Sequence, residues 1–377
     1  MTTLRVIVDE VLTPTRTGIA RYTEELTRAL IATAPPSCFV EGIAGLATDN
    51  EYRVLRERIP GLGEIVTGPL ARGEVSAAWQ HGFTPLPSGM IHAPSLMAPL
   101  QAHDRLAGTG HQLVVTMHDT VAWSHPELLG SRRVAWHRAM AARAERYADA
   151  VIVPTHAVAE QVSELFDFGD RVRVIGGAIG SRILPPSSAD ATAKSLALPT
   201  RYILAMGGLE SRRGIDQVIA ALGVRGAARI PPVLVVGPDH ADGESVTDLV
   251  AASGVRPARV RALGNLSEEE LSVAIARASL VVVPTVDDGF GLSVLEAFRL
   301  GTPVIHSDAA GIVEVAGGAG LIVEPGDDYP DHLATAMKTV LADKELSTTL
   351  ATQGSDRAGL FSWRASAEKI WQLHADL

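Results

Sequence analysis

The sequence is short of cysteine, of aromatic residues and of long apolar runs. Its single cysteine, Cys38, closes no internal disulfide and builds no multi-cysteine metal site, so a reducing compartment, the cytoplasm, is the expected location. No apolar run reaches the roughly 18 residues that a spanning helix requires, and any membrane contact is expected to be peripheral, at the inner membrane face. The opening MTTLRVIVDE lacks the basic start, apolar middle and small-residue cleavage site of a signal peptide and reads as a first strand. Positive charge is also in deficit. The 33 Lys plus Arg against 43 Asp plus Glu leave a formal charge of -10, a field that repels polyanions and excludes nucleic acid as a general partner. HExxH and GxSxG are missing and the histidines show no metal spacing, which removes the commonest hydrolase signatures and leaves no expected metal site.

What is present is an ordinary globular composition, 46% hydrophobic, in a length of 377 residues that suits two domains. Short β-branched runs alternate with helical patterns: LRVIVD, LVVTMHD, AVIVPT and RVRVIGG in the first half, then RYILAMGG, PVLVVG, ARVRAL, SLVVVPT, TPVIHS and AGLIVEP. Such alternation predicts parallel sheets covered by helices, an α/β protein with two Rossmann-like doubly wound domains. Residues 181–200 are rich in Pro, Ser, Ala and Thr without a core period, which places a linker there, between domains at 1–180 and 201–360. ADAVIVPT at 148–155 echoes ASLVVVPT at 278–285; either the two strands aim their carboxyl ends at a shared cleft, or buried parallel strands simply look alike.

Several segments carry residues suited to chemistry. From Val286 to Asp308 the chain reads VDDGFGLSVLEAFRLGTPVIHSD, with Gly289 and Gly291 bracketing Phe290 between a strand and a helix, so that backbone amides can approach an anion. Asp288 and Glu296 stand eight positions apart, enough for carboxylates at either end of an elongated polar ligand; a helix cap and a solvated glutamate is the plainer reading. In MGGLESRRG, Gly207 and Gly208 permit close backbone approach, and Arg212 and Arg213 offer cationic forks for diphosphate oxygens, or solvated arginines on a turn. TRTGIARYTEEL puts Gly18 at a turn with Arg21 and Tyr22 opening a helix, and LVVTMHD ends at His118 and Asp119. The helix Arg132 to Arg146 gathers five arginines around Trp136 and His137, either a site for anionic surfaces or a solvated face. Ser267 and Glu270 form a capping-box pattern with no catalytic role.

Taken in order, these segments resemble the retaining family 4 glycosyltransferases, whose two facing Rossmann-like domains form the GT-B fold with an interdomain cleft. The resemblance covers nearly the whole chain and rests on GIARY, HAPSLMAPL at 92–100, TMHD at 116–119, GGLESRRG at 207–214 and, most specifically, DGFGLSVLEAFRLGTPVIHSD at 288–308. FSWRASAEKIWQLH looks like the family's closing helix, here 361–377, returning toward the first domain. In that family a Glu, seven intervening residues and a second Glu mark the donor site; here Asp288 replaces the first and Glu296 matches the second. The resemblance thus implies Glu296 on the donor ribose, Asp288 at the transferred sugar, and Gly289, Phe290, Gly291 and Leu292 contacting sugar and phosphate. Gly208 stands after the first glycine, Gly207, where the family usually has Arg or Thr, and Arg213 stands for its usual Lys, with Arg212 beside it. Gly18 matches the first-domain phosphate loop, His118 the sugar-facing histidine, and Leu263 to Gly264 the strand end at the base; Arg21, Tyr22 and Asp119 fall on the acceptor side.

The implied reaction moves a mannosyl-, glucosyl- or rhamnosyl-like hexosyl group from a GDP-, UDP- or dTDP-linked sugar to a hydroxyl acceptor, with retention and no obligatory metal or cofactor. The acceptor would be a glycan, a lipid-linked saccharide or a small metabolite. The rival readings are a nucleotide-sugar epimerase or hydrolase of the same fold, and a noncatalytic nucleotide-sugar-binding protein. Because Arg213 would meet charge that grows on the leaving diphosphate, Arg213→Ala is expected to cut turnover far more than it lowers the melting midpoint. Normal turnover in that folded variant would remove Arg213 from the mechanism.

Overall fold

A computed structural model describes residues 2–13, 17–83, 89–103, 110–207, 209, 214–238, 240–241 and 244–377. Contacts divide the chain into two compact units, Met1–Gly180 with Ser362–Leu377, and Ser181–Phe361.

In the first unit the elements run β1 (Thr2–Ile7), α1 (Gly18–Ala32), β2 (Cys38–Leu46), α2 (Asp49–Arg58), β3 (Ile65–Ala71) and α3 (Arg72–His81). They continue with β4 (Met90–Ala93), β5 (Gln112–Thr116), α4 (Val121–Ser124), α5 (Ser131–Tyr147), β6 (Ala150–Val153), α6 (His156–Leu165) and β7 (Val172–Val174). The strands form one parallel seven-stranded sheet in the order β3-β2-β1-β4-β5-β6-β7. Helices cover both faces, so successive residues of β5 enter different cores: Leu113 and Val115 on one side, Val114 on the other. The arginines expected to line one face of α5 divide by job. Arg138 donates to the Ala122 carbonyl at 3.0 Å and Arg143 to that of Leu100, whereas Arg132, Arg133 and Arg146 are exposed.

In the second unit the order is α7 (Ala189–Ser195), β8 (Ile203–Met206), α8 (Ile215–Gly223), β9 (Val233–Val236), a hairpin of β10 (His240–Ala241) and β11 (Glu244–Ser245), then α9 (Val246–Ser253). There follow β12 (Val260–Gly264), α10 (Glu268–Ala276), β13 (Leu280–Val283), α11 (Leu292–Arg299), β14 (Val304–His306), α12 (Ala310–Ala316), β15 (Leu321–Ile322), α13 (Tyr329–Ala342) and α14 (Lys344–Ala358). The main sheet is parallel in the order β12-β9-β8-β13-β14-β15, and Ile203, Ala205 and Val282 pack with Val218, Ile219, Leu333 and Met337 of the covering helices. Ser267 caps α10 with Glu270 in reciprocal bonds of 3.2 and 2.9 Å. Residues 181–200, which composition marks as a linker, cluster with this unit and carry α7, whose Asp190 pairs with Arg277 of the stretch after α10. The echo between 148–155 and 278–285 joins strands in different places: β6 is second from its sheet's edge, while β13 adjoins the central β8. Shared burial, not shared position, makes them alike.

The last helix, α15 (Trp363–Asp376), belongs to the first unit. Trp371 Nε1 donates to the Leu30 carbonyl and Trp363 Nε1 to that of Ile179, both at 3.1 Å, while Ala367 and Ile370 share a core with Leu26 and Leu30. His374 lies against His92 of β4, with Nε2 and Nδ1 3.4 Å apart, and its own Nδ1 is 3.1 Å from Gln112. Burial holds both imidazoles neutral; it lowers His92 well below its usual range, aided by His374, and brings His374 down to about 4. Among the described residues no helix is long and apolar enough to cross a membrane.

Because His374 has a folded-state pKa below its unfolded one, the unfolded chain binds the extra proton first and stability falls as pH drops from about 6.5 to about 4. The full share is roughly 3 kcal/mol. Urea unfolding at the two ends of that window is expected to show this loss in the native chain and a clearly smaller one in His374→Asn.

Candidate functional site

Open parallel sheets bind ligands outside the carboxyl ends of their strands, where the strand order reverses. In the second unit that point lies between β8 and β13, since the chain steps outward from β8 through β9 to β12 and then returns to the other side of β8. Both strands run into glycine-rich loops there. Gly207 leaves β8 with φ +144° and donates to the Val236 carbonyl at 3.0 Å. Gly214 closes the same loop with φ +65°, and a Cβ on it would come within 2.4 Å of the Pro284 carbonyl oxygen that follows β13. Glycine alone allows that approach, so the ends of the two loops are held together by backbone contact. Gly208, Arg212 and Arg213 lie outside the described residues.

Past Pro284 the chain makes a tight turn. Asp288 Oδ1 accepts the amides of Phe290 at 3.0 Å and Gly291 at 2.9 Å, and Gly291, at φ +69°, delivers the chain into α11. Asp288 does not cap the helix itself: the N-cap is Gly291, without a side-chain cap bond, and the two amides held by Asp288 Oδ1 belong to the turn before α11. Leu292 and Ser293 open α11 with amides that no helical carbonyl can take, and the helix dipole makes that end favourable for negative charge. Glu296, one turn further, is only 1% exposed. Phe290 meets Phe361 edge-on at 5.8 Å between ring centroids. A third segment closes the turn from β14. Ser307 Oγ donates to the Thr285 carbonyl, and Gly311 of α12 packs so tightly that a Cβ would lie 2.4 Å from Asp288 O and 2.5 Å from Gly289 C. Beside it, Tyr329 is pushed up to about 12 by burial and by the charges of Asp308 and Asp216. At the end of β12, Leu263 precedes Gly264, whose carbonyl accepts from Gly237 at 3.0 Å and ties the ends of β12 and β9 together.

The first unit reverses between β1 and β4. Segment 91–100, leaving β4, is buried throughout. His118, after β5, places Nε2 2.7 Å from the Pro94 carbonyl; a carbonyl only accepts, so Nε2 carries the hydrogen. Its ring meets Tyr22 of α1 edge-on at 4.7 Å, and Tyr22 in turn meets Trp363 of α15 at 5.3 Å, so the last helix helps to position this histidine. Burial pushes the Tyr22 phenol up to about 12. Gly18 is the first residue of α1, capped by Thr17 Oγ1 on the Ala20 amide at 3.1 Å, and among the described residues nothing lies within 4 Å of where its Cβ would be. Arg21 is half-buried on the same helix, and Asp119 Oδ1 accepts the Val121 amide at 3.3 Å to open α4.

The structure thus gathers Gly207 and Asp288 to Glu296 at one switch point, sets Leu263 and Gly264 at the same carboxyl edge two strands from β8, and gathers Tyr22 and His118 in the first unit. Gly214 and Gly311, which hold the turn in place, are not evident from residue type. A glycine four positions after Ser307, where a helix begins, is the one hint of Gly311 in the sequence. Among the described residues no three His, Cys, Asp or Glu side chains are grouped to hold a metal ion.

Two parallel-sheet α/β units with glycine-rich loops at their strand ends are the architecture of GT-B glycosyltransferases. Family models agree over most of the chain: Glycosyltransferase Family 4 matches residues 16–179 and Glycosyl transferases group 1 matches residues 200–343. The chain belongs to the family 4 glycosyltransferases. O-antigen chain mannosyltransferase B of Escherichia coli is 27% identical over 257 residues, which are 66% of this chain and 66% of that protein. D-inositol 3-phosphate glycosyltransferase 1 of Catenulispora acidiphila is 25% identical over 367 residues, 88% of this chain and 86% of the relative. Among solved structures, Anabaena HepE in complex with UDP-glucose superimposes with a TM-score of 0.71 at 20% identity, covering 100% of both chains.

Since Gly311 has no room for a side chain, Gly311→Ala is expected to cost roughly 1–3 kcal/mol and to displace the Asp288 turn. Chemical denaturation reads the first effect; an unchanged midpoint would show that α12 can give way.

Proposed function

We propose that the protein transfers a hexosyl group from a nucleotide diphosphate sugar to a hydroxyl acceptor, with retention at the anomeric carbon and without an obligatory metal. The observation that carries this reading is the meeting of two glycine-rich loops with the amino end of α11 at the β8/β13 switch point, a backbone cradle suited to a diphosphate. In this reading Arg213, with Arg212 beside it, balances the charge that grows on the departing diphosphate, so the protein itself does the work a metal would do. Glu296 takes the ribose hydroxyls, the strand end at Leu263 and Gly264 borders the base, and Asp288 holds the turn that presents Leu292 to the sugar and phosphate. The departing phosphate accepts the acceptor's proton, so Asp288 need not act as a nucleophile; its bonds to two backbone amides support this.

The first unit takes the acceptor, with His118 oriented by Pro94 and Tyr22. HepE was solved with UDP-glucose, which favours a UDP-linked sugar, while the E. coli relative is a mannosyltransferase, which keeps GDP-mannose in the set. The protein is proposed to work in the cytoplasm, with the exposed Arg132 and Arg133 of α5 available for peripheral contact with an anionic membrane face.

A ligand that binds the folded state alone raises the melting midpoint. A thermal-shift screen of GDP-mannose, UDP-glucose and dTDP-rhamnose is expected to single out one donor. Incubation of that donor with acceptors should then give a glycoside of unchanged anomeric configuration by NMR. Release of free sugar or an epimerised donor would favour the same-fold rivals, and no response to any nucleotide sugar would contradict the reading.

A further inference from the structure

Asp9 is a buried carboxylate at the carboxyl end of β1, where the strand order of the first unit reverses toward β4. It is 1% exposed. Its Oδ1 accepts the Gly45 amide at 2.8 Å, whereas Oδ2, equally buried, has no hydrogen-bond partner among the described residues. A buried carboxylate oxygen left without a donor costs free energy, and such exceptions call for a ligand or a mechanism.

The groups around it are fixed by packing. Gly45, near the end of β2, approaches the start of α3 so closely that a Cβ would lie 3.0 Å from the Arg72 amide nitrogen. Arg72 is thereby brought near Asp9. It pairs with Glu10 of the same turn as Asp9 at 2.9 Å, and its own Nε is buried with no acceptor among the described residues. From α2, Tyr52 binds the Gly45 carbonyl and the Ala47 amide, and Arg58 binds the Val11 carbonyl; from α1, Arg28 binds the Arg58 carbonyl and Glu25. None of these supplies a hydrogen to Asp9 Oδ2.

A buried acceptor and a buried donor, neither with a partner among the described residues, therefore lie on segments packed together at the carboxyl edge of the sheet. A hydroxyl satisfies both, giving its hydrogen to the carboxylate and its oxygen to the guanidinium. A phosphate would be repelled by Asp9 and an ammonium by Arg72. We propose that Asp9 and Arg72 form an acceptor-hydroxyl subsite in the first unit, binding a neutral saccharide or similar polyol through Asp9 Oδ2 and Arg72 Nε. This rests on the reading that the first unit takes a hydroxyl acceptor.

The subsite has a pH signature. Burial raises the Asp9 carboxyl to about 6, opposed by the Gly45 bond and by Arg72. A hydroxyl donated to Oδ2 favours the ionised form, so binding strengthens as pH rises through about 6.

The test is calorimetric titration of the full chain with methyl α-mannoside, methyl α-glucoside and myo-inositol from about pH 5 to about pH 8. At least one is expected to bind, losing about tenfold in affinity per pH unit below about 6. Asp9→Asn keeps an oxygen for the Gly45 amide and removes the buried charge, so it is expected to melt at or above the native midpoint at neutral pH. Its saccharide affinity should be about tenfold or more weaker and independent of pH, while the thermal shift caused by a nucleotide sugar stays as in the native chain. Equal saccharide affinity in the variant, a flat pH profile in the native chain, or binding of none of the three polyols would overturn the subsite. Failure of the transfer reading would show separately, as no passage of labelled hexose from any nucleotide sugar by the native chain.

Discussion

The second unit depends on backbone meeting backbone. Gly214 rests on the Pro284 carbonyl and Gly311 on the Asp288 to Gly289 peptide, each at a distance that a Cβ would violate. These two contacts come from elements after β8 and β14, on either side of β13, and they clamp the loop that β13 feeds. A turn clamped in this way keeps its shape without a ligand, and preorganisation is what an amide cradle needs if it is to favour charge that appears only as a bond breaks. Asp288 fits the same scheme. Its Oδ1 bonds hold the amides of Phe290 and Gly291 in the turn that leads into α11, so a shorter carboxylate than the family's glutamate serves the backbone before it serves a substrate.

The first unit solves a different problem, that of keeping polar groups inside a parallel sheet. His92 and His374 stay neutral against each other, His118 is spent on the Pro94 carbonyl, and the Asp9 carboxylate is only half satisfied. The first pair fastens α15 to the sheet, and α15 in turn carries Trp363, which meets Tyr22 and through it His118. The last helix of the chain is thus part of the support of a residue assigned to substrate, although more than two hundred positions separate Trp363 from His118 in the sequence.

Local patterns were legible in the sequence and distant contacts were not. β5, β6, β8, β9 and β13 stand out because strands buried on both faces read as unbroken apolar runs, and the Ser267 and Glu270 cap is readable because its partners are three residues apart. β2, with Glu41 and two glycines, β3, with Gly68 and Pro69, and the four-residue β4 carry too weak a pattern to be named. The stretch 181–200 looks like a linker because α7 is short and polar, and only its contacts assign it to the second unit. At the candidate site the glycine-rich turn and His118 are evident from residue type. Gly214, Gly311 and Asp9 are not, since the first two matter for a carbonyl far along the chain and the third for an oxygen without a donor among the described residues.

In the proposed reaction the clamped turn after β13 and the loop after β8 together form the donor cradle. Hydrogen-exchange mass spectrometry of the full chain, with and without the nucleotide sugar that stabilises it most, addresses this directly. Protection is predicted to concentrate in peptides covering 207–214 and 284–296. Protection elsewhere with those two segments unchanged would place the donor outside this cradle.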